Sequence, residues 1–218
     1  DLSHVHTTAQ ADGSQIVLNG TKTHVINGAQ AETLVVSARE NGAKDDEVGI
    51  SLFLVSLACE GVTCINHRNG DATSGARIVF DNVRLAQSDR LGTAGKGFAA
   101  LETATARATL AVCAEAVGAM EAAKVLTVQY LKERQQFGVP IGKFQALQHR
   151  MVDVLIEIEQ ARSAVVNLAG NLEAERNIRE RHVSATKNLI GRVGALVAEE
   201  SIQMHGGIGM TDEYALSH

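Results

Sequence analysis

The texture of this 218-residue chain changes abruptly near residue 90, and that change limits the folds open to it. Before it lie short runs rich in Val, Ile, Leu and Thr: Ser14 to Val25, Thr33 to Arg39, Gly49 to Ser56, Gly61 to Asn66 and Ala76 to Phe80. Turn-forming pairs punctuate them, among them Asp12-Gly13, Asn19-Gly20, Asn27-Gly28, Asn41-Gly42 and Asn69-Gly70. Short β-forming runs broken by such pairs predict an antiparallel sheet, sandwich or barrel. After Gly92 the apolar spacing becomes helical. One helix is predicted from Phe98 to about Arg134, a second from about Phe144 to Ala174 with a stripe of Leu147, Met151, Leu155, Ile158, Val165, Leu168 and Leu172, and a third from Ile178 to about His205. Three such helices on short links pack as an antiparallel bundle. The expectation is an α+β chain of two domains, residues 1–92 forming the β-domain and 93–218 the helical bundle.

Composition narrows the function classes. With 45% hydrophobic residues and a net charge of −5, the chain has no basic field to draw DNA or RNA, so no nucleic-acid partner is expected. No run reaches the roughly twenty apolar residues of a membrane span, and Asp1-Leu2-Ser3-His4 lacks the basic start and apolar stretch of a signal peptide. The expected compartment is the cytoplasm, with no membrane association. Cys59, Cys64 and Cys113 match no zinc or redox spacing and are read as reduced thiols. His4 and His6 share one side of an extended segment and make half a metal site; without an obvious third ligand they are read as surface histidines, and no metal is expected.

Two segments carry chemistry. In R-Q-Q-F-G-V-P-I-G-K-F-Q, an always-charged guanidinium (Arg134), an aromatic face (Phe137) and two permissive glycines (Gly138, Gly142) lie within nine residues around the only proline, Pro140. That grouping suits a planar, phosphate-bearing ligand such as a nucleotide cofactor. About seventy residues on, Gln203 precedes Gly206, Gly207 and Gly209 in Q-M-H-G-G-I-G-M. Taken singly, Arg134 is a helix C-terminal cation and Phe137 a core plug. The second element is what turn chemistry alone does not predict.

In their order and separation these two segments, together with N-G-T-K at 19–22, Asn27-Gly28 and D-N-V-R at 81–84, resemble the acyl-CoA dehydrogenase family. The chain is similar to that family's middle β-domain and most of its C-terminal helical domain. V-I-N-G-A-Q-A-E-T-L-V-V-S-A-R and C-A-E-A-V-G-A-M look closest to the small-subunit branch of bacterial heteromeric members. The resemblance implies FAD lying across a subunit interface, with Arg134 and Phe137 on the pyrophosphate and adenine side of a cofactor seated mainly in the neighbouring subunit. Gln203 and Gly207 would contact the same FAD from yet another subunit. It further implies a dimer or tetramer of like or related subunits, an acyl-CoA substrate, and electron-transfer flavoprotein as the usual acceptor.

The implied reaction is α,β-dehydrogenation of a thioester, in which a carboxylate takes the α-proton while the β-hydrogen leaves as hydride to the flavin. Alignment with the family departs from it where the catalytic glutamate belongs. The first family location falls on Ala108, and the neighbouring substrate-contacting aspartate and arginine become Ala106 and Thr109, leaving Arg107 as the substrate-binding candidate. The second location would follow the Gly-Gly turn, beyond His218. Glu102 and Glu115 flank Ala108 on the same helix, but one to two turns away, about 9 to 10 Å along the axis. Solvated or helix-paired carboxylates are the ordinary reading of both. Arg90 and Lys96 are further cations suited to CoA. On the β-domain side, the family's flavin-contacting tryptophan and threonine align with His24 and Ile26. The family's N-terminal helical domain is absent from the match, so a larger whole protein is expected. Two competing readings stand beside a catalytic subunit: a non-catalytic subunit that completes FAD sites for a partner, and a helical interaction module that has lost FAD.

Overall fold

A computed structural model describes residues 2–217. The chain divides into two compact units, Asp1–Thr103 and Ala104–His218. The first is built on strands β1 (Thr8–Asp12), β2 (Gln15–Ile26), β3 (Thr33–Arg39), β4 (Ile50–Ser56), β5 (Val62–Arg68), β6 (Ser74–Ala86) and β7 (Arg90–Leu91). They form one sheet in the order β5-β6-β2-β1-β3-β4-β7.

The sheet is mixed, which corrects the purely antiparallel expectation. Asp12-Gly13-Ser14-Gln15 turns β1 back on β2 as an antiparallel hairpin, with Asp12 opposite Gln15. After β2 the chain crosses over, and β3 returns in the direction of β1 and pairs parallel to it at Thr8 and Arg39. One strand intervenes in the chain between two that are neighbours in space, so the two run the same way. Alternation along β2, β3, β4 and β6 sends one face inward, where Ile16, Leu18, Val36, Phe53, Val55, Ile78, Phe80 and Val83 form the core.

The Asn-Gly and Asp-Asn motifs meet inside this sheet. The β2–β6 register shifts between Leu18 and Gly20, and the Asn19 side chain fills the gap by accepting from the Asn82 backbone N–H at 2.8 Å. Gly20 stands at φ 144°, where a Cβ would lie 2.7 Å from the Thr7 Cα. Both motif residues are thus accounted for by a β-bulge and a close backbone approach.

The second unit contains most of α1 (Phe98–Glu133), a two-stranded ribbon of β8 (Gln135–Gln136) and β9 (Val139–Pro140), and helices α2 (Gln145–Gly170) and α3 (Arg176–His205). Cys113, Val117, Met120 and Leu131 of α1 pack with Met151, Val154, Ile158 and Ala161 of α2 and Ile190, Val193 and Val197 of α3. Cross-helix ion pairs give the directions. Arg150 meets Glu200 while Arg192 meets Glu157, so α3 descends as α2 rises. Arg162 meets Glu121 while Arg107 meets Glu173, so α1 and α2 are antiparallel as well.

Two details of α2 differ from the sequence reading. The buried stripe runs through Met151, Val154, Ile158, Ala161 and Leu168, while Leu155 is 38% exposed on the stripe's edge. The helix also stops at Gly170, because the Asn171 side chain donates to the Asn167 carbonyl at 2.8 Å and draws the last turn closed. Among the described residues no helix is long and apolar enough to cross a membrane.

Candidate functional site

The end of α1 and the end of α3 carry the two glycine-rich turns. Helix α1 closes with the Arg134 N–H donating to the Tyr130 carbonyl at 2.8 Å. Strands β8 and β9 then pair Gln136 with Val139, leaving Phe137-Gly138 as a two-residue loop. Phe137 has φ 55° and Gly138 φ 80°, the pair of positive values that a type I′ hairpin turn needs. Glycine meets that demand freely, whereas a phenylalanine there is a strained residue. The ring is also 91% exposed, with Phe144 edge-on at 6.1 Å. Beneath the loop, a Cβ on Gly142 would lie 2.8 Å from the Leu131 carbonyl oxygen, so the ribbon folds tightly on the last turn of α1. Arg134 is exposed and makes no ion pair among the described residues.

At the other turn, Gly206 caps α3 at φ 67°, its N–H reaching the Gln203 and Ile202 carbonyls. A 3-10 turn, Gly206–Met210, follows. Gly209 is packed, since a Cβ there would lie 3.0 Å from the His205 Cβ, but nothing lies within 4 Å of a Cβ built on Gly207. Gln203 and Gly207 are both exposed.

Three rings join the turns. Tyr130 stacks on His205 with centroids 4.5 Å apart and planes 28° from parallel. Tyr214 closes the cluster at 5.0 Å from His205. Tyr130 lies one helical turn before Arg134, and His205 lies between Gln203 and Gly207, so the stack holds both turns at one end of the helical unit. His205 is 4% exposed, and its Nδ1 donates to the Ser201 carbonyl at 2.7 Å. From the sequence His205 is only the last residue of the third helix. Its spacing from Gln203 was visible, but its pairing with Tyr130 depends on how α1 and α3 pack.

The remaining candidates fall elsewhere. Arg107 bonds Glu173 at 2.7 Å, with both side chains largely exposed. Arg90 is bound to Glu40 at 2.8 Å, half-buried, with its guanidinium over the Phe53 ring at 5.7 Å; it braces the sheet. Ala108 and Glu115 are exposed, Ala106 and Glu102 buried. On β2, His24 sits at φ 55° where the register slips between Lys22 and Val25, stacked on His67 at 5.9 Å, and Ile26 is 67% exposed. The helical unit carries grooves of about 610 Å³ beside Leu155, Ile156 and Leu189, about 350 Å³ along Lys124, Val128 and Glu133 on the last turns of α1, and about 300 Å³ between Met120, Gly194 and Ile202.

Comparison with known proteins agrees with this architecture. The family profile "Acyl-CoA dehydrogenase, middle domain" matches residues 1–83, and "Acyl-CoA dehydrogenase, C-terminal domain" matches residues 95–218. A probable acyl-CoA dehydrogenase of Bacillus subtilis, YngJ, is 31% identical over 99% of this chain and 57% of its own. The caffeyl-CoA reductase-Etf complex subunit CarC of Acetobacterium woodii is 30% identical over 98% of this chain and 57% of its own. The crystal structure of an acyl-CoA dehydrogenase from Geobacillus kaustophilus superposes with a TM-score of 0.89 at 32% identity, covering 100% of this chain and 58% of that one. The chain therefore spans a little over half the length of these relatives. Sequence profiles over both units and the shared fold establish that the chain belongs to the acyl-CoA dehydrogenase family.

Proposed function

We propose that this chain is part of a subunit of a FAD-dependent acyl-CoA dehydrogenase whose assembled form converts an acyl-CoA thioester to the trans-2-enoyl-CoA. The Tyr130–His205 stack carries the reading, because it brings together at one end of the helical unit a guanidinium with no ion pair among the described residues, an exposed ring and an open glycine turn. Those residues fit a dinucleotide. The Arg134 guanidinium is suited to bond a phosphate bidentately, and Phe137 offers a flat face to the nucleotide. Gln203 presents both donor and acceptor, and the space at Gly207 lets a backbone amide approach closely. When bound, FAD supplies the acceptor for the hydride leaving the substrate's β-carbon.

Arg107 is the cation we assign to the substrate side. Its exposed bond to Glu173 is of a kind worth about 0–1 kcal/mol, so exchanging that partner for a CoA phosphate costs little. The turns stand open on a single chain, which suits a site completed by like or related subunits. Electron-transfer flavoprotein is the proposed redox partner, a reading supported by the Etf complex named for CarC.

Ala108 favours a second reading. A methyl group at the first of the family's two locations for the base takes no proton, and the flanking carboxylates, Glu102 and Glu115, stand one to two helical turns away. In this reading the chain completes FAD sites for a partner that supplies the base.

The purified protein, titrated with FAD and followed by flavin absorbance and melting temperature, separates the readings. Binding, with bleaching of the flavin on anaerobic addition of acyl-CoA, supports a catalytic subunit. Binding without bleaching, restored by a partner chain, supports the second reading. Protein that stays colourless with an unchanged melting temperature would remove FAD from the account and leave an interaction module.

A further inference from the structure

Ahead of β1, residues 3 to 7 run extended with strict alternation: Ser3, Val5 and Thr7 are buried and His4 and His6 are exposed. The two imidazoles share one face, edge to face with centroids 4.5 Å apart. Their Nε2 atoms are 2.7 Å apart. His4 Nδ1 lies 2.5 Å from an Asp45 carboxylate oxygen. A carboxylate only accepts, so Nδ1 carries the proton, and the Nε2 lone pair of His4 is left pointing at His6. A carboxylate behind an imidazole in this way is how proteins orient histidine for metal binding.

The scaffold beneath is rigid. Arg39, 7% exposed, donates to the carbonyls of Ser3 at 2.8 Å, Lys44 at 3.0 Å and Asp46 at 2.8 Å. It also reaches the carbonyls of Asn41 at 3.3 Å and Val48 at 3.1 Å. One guanidinium thus grips the residue before His4 and the residues on either side of Asp45. The Val5 N–H to Lys44 carbonyl bond, 3.1 Å, joins the two segments directly.

We propose that His4 and His6 chelate one divalent transition-metal ion, of the zinc or copper class, through their Nε2 atoms, with Asp45 orienting His4 and water filling the remaining positions. Two nitrogens about 2.0–2.1 Å from a tetrahedral zinc stand roughly 3.3 Å apart, so the contact opens by about half an ångström, within reach of two exposed side chains. Without metal, His6 donates its Nε2 proton to His4. On binding, that proton moves to His6 Nδ1 and both lone pairs face the ion, with no net proton released. Among the described residues no three His, Cys, Asp or Glu side chains group as a metal site, so this ion is held by two protein nitrogens and is exchangeable. It is independent of the flavin reading.

Calorimetric titration of the tag-free protein with zinc chloride, and electron paramagnetic resonance after one equivalent of copper sulfate, test it. One saturable ion and coupling to two imidazole nitrogens are expected. His4→Ala and His6→Ala each weaken binding at least about tenfold, Asp45→Asn weakens it about tenfold, and the control His149→Ala, at a histidine of α2, leaves it unchanged. The three side chains of the site are exposed, so each variant keeps the parent's melting temperature and any loss reads as loss of a ligand. Coupling to a single nitrogen, binding unaffected by both histidine substitutions, or no saturable binding would each overturn the proposal.

Discussion

Phe137 pays twice for its position: a side chain with a Cβ at φ 55°, and a ring 91% exposed. The left-handed backbone costs an L-residue about 1 kcal/mol or more. Phe137→Gly is therefore expected to raise stability in urea unfolding by about 1 kcal/mol while weakening FAD binding. A variant less stable than the parent would show that the ring has a structural role in the isolated chain. Lys22, on β2, is a second residue set by its surroundings. Its ammonium donates to the Ser37 hydroxyl at 3.0 Å, and burial pushes its pKa from the ordinary 10.5 down to about 8. Between those values the unfolded chain holds the proton and the folded chain releases it, so stability rises with pH from about 8 to 10.5. Lys22→Met is expected to stabilise the protein at about pH 7 and to flatten that rise. Unfolding curves of parent and variant that climb equally between about pH 8 and 10 would exclude burial as the cause. Neither residue's state was legible in the sequence. The usual signal for a type I′ turn is Asn-Gly, and a lysine's burial depends on strands far along the chain.

Among the elements, those with strong local periodicity matched the sequence reading closely, as β3 and α3 illustrate. Strand β1 was missed because Thr-Ala-Gln-Ala-Asp has almost no β-branched or aromatic content; it forms by pairing with β2. Strand β6 runs beyond the expected Ala76 to Phe80 at both ends, to Ser74–Ala86, and passes through Asp81-Asn82 by a bulge patched by Asn19. The contact of greatest consequence at this scale is the stack of Tyr130 on His205. An aromatic pair contributes about 0.5–1.5 kcal/mol beyond its buried area, so Tyr130→Leu is expected to weaken FAD binding severalfold with helix content preserved by circular dichroism. Unchanged FAD affinity would mean the two turns are held by the helices alone.

At the scale of the whole molecule, the texture of the chain was enough to expect a sheet domain and a helical domain, and ordered motifs were enough to reach the family. These are properties of neighbouring residues, because hydrophobic period, turn formers and glycine positions act over a few residues at a time. Tertiary structure decided the rest: the parallel placing of β3 beside β1, the five carbonyls gathered by Arg39, and the union of Tyr130, His205 and Tyr214. Each joins segments whose spacing carries no periodic signal. A hydrogen bond or a ring contact between them exists only once packing has brought the backbones together, and that is why His4, His6 and Asp45 become one cluster in the fold while remaining unrelated letters in the chain.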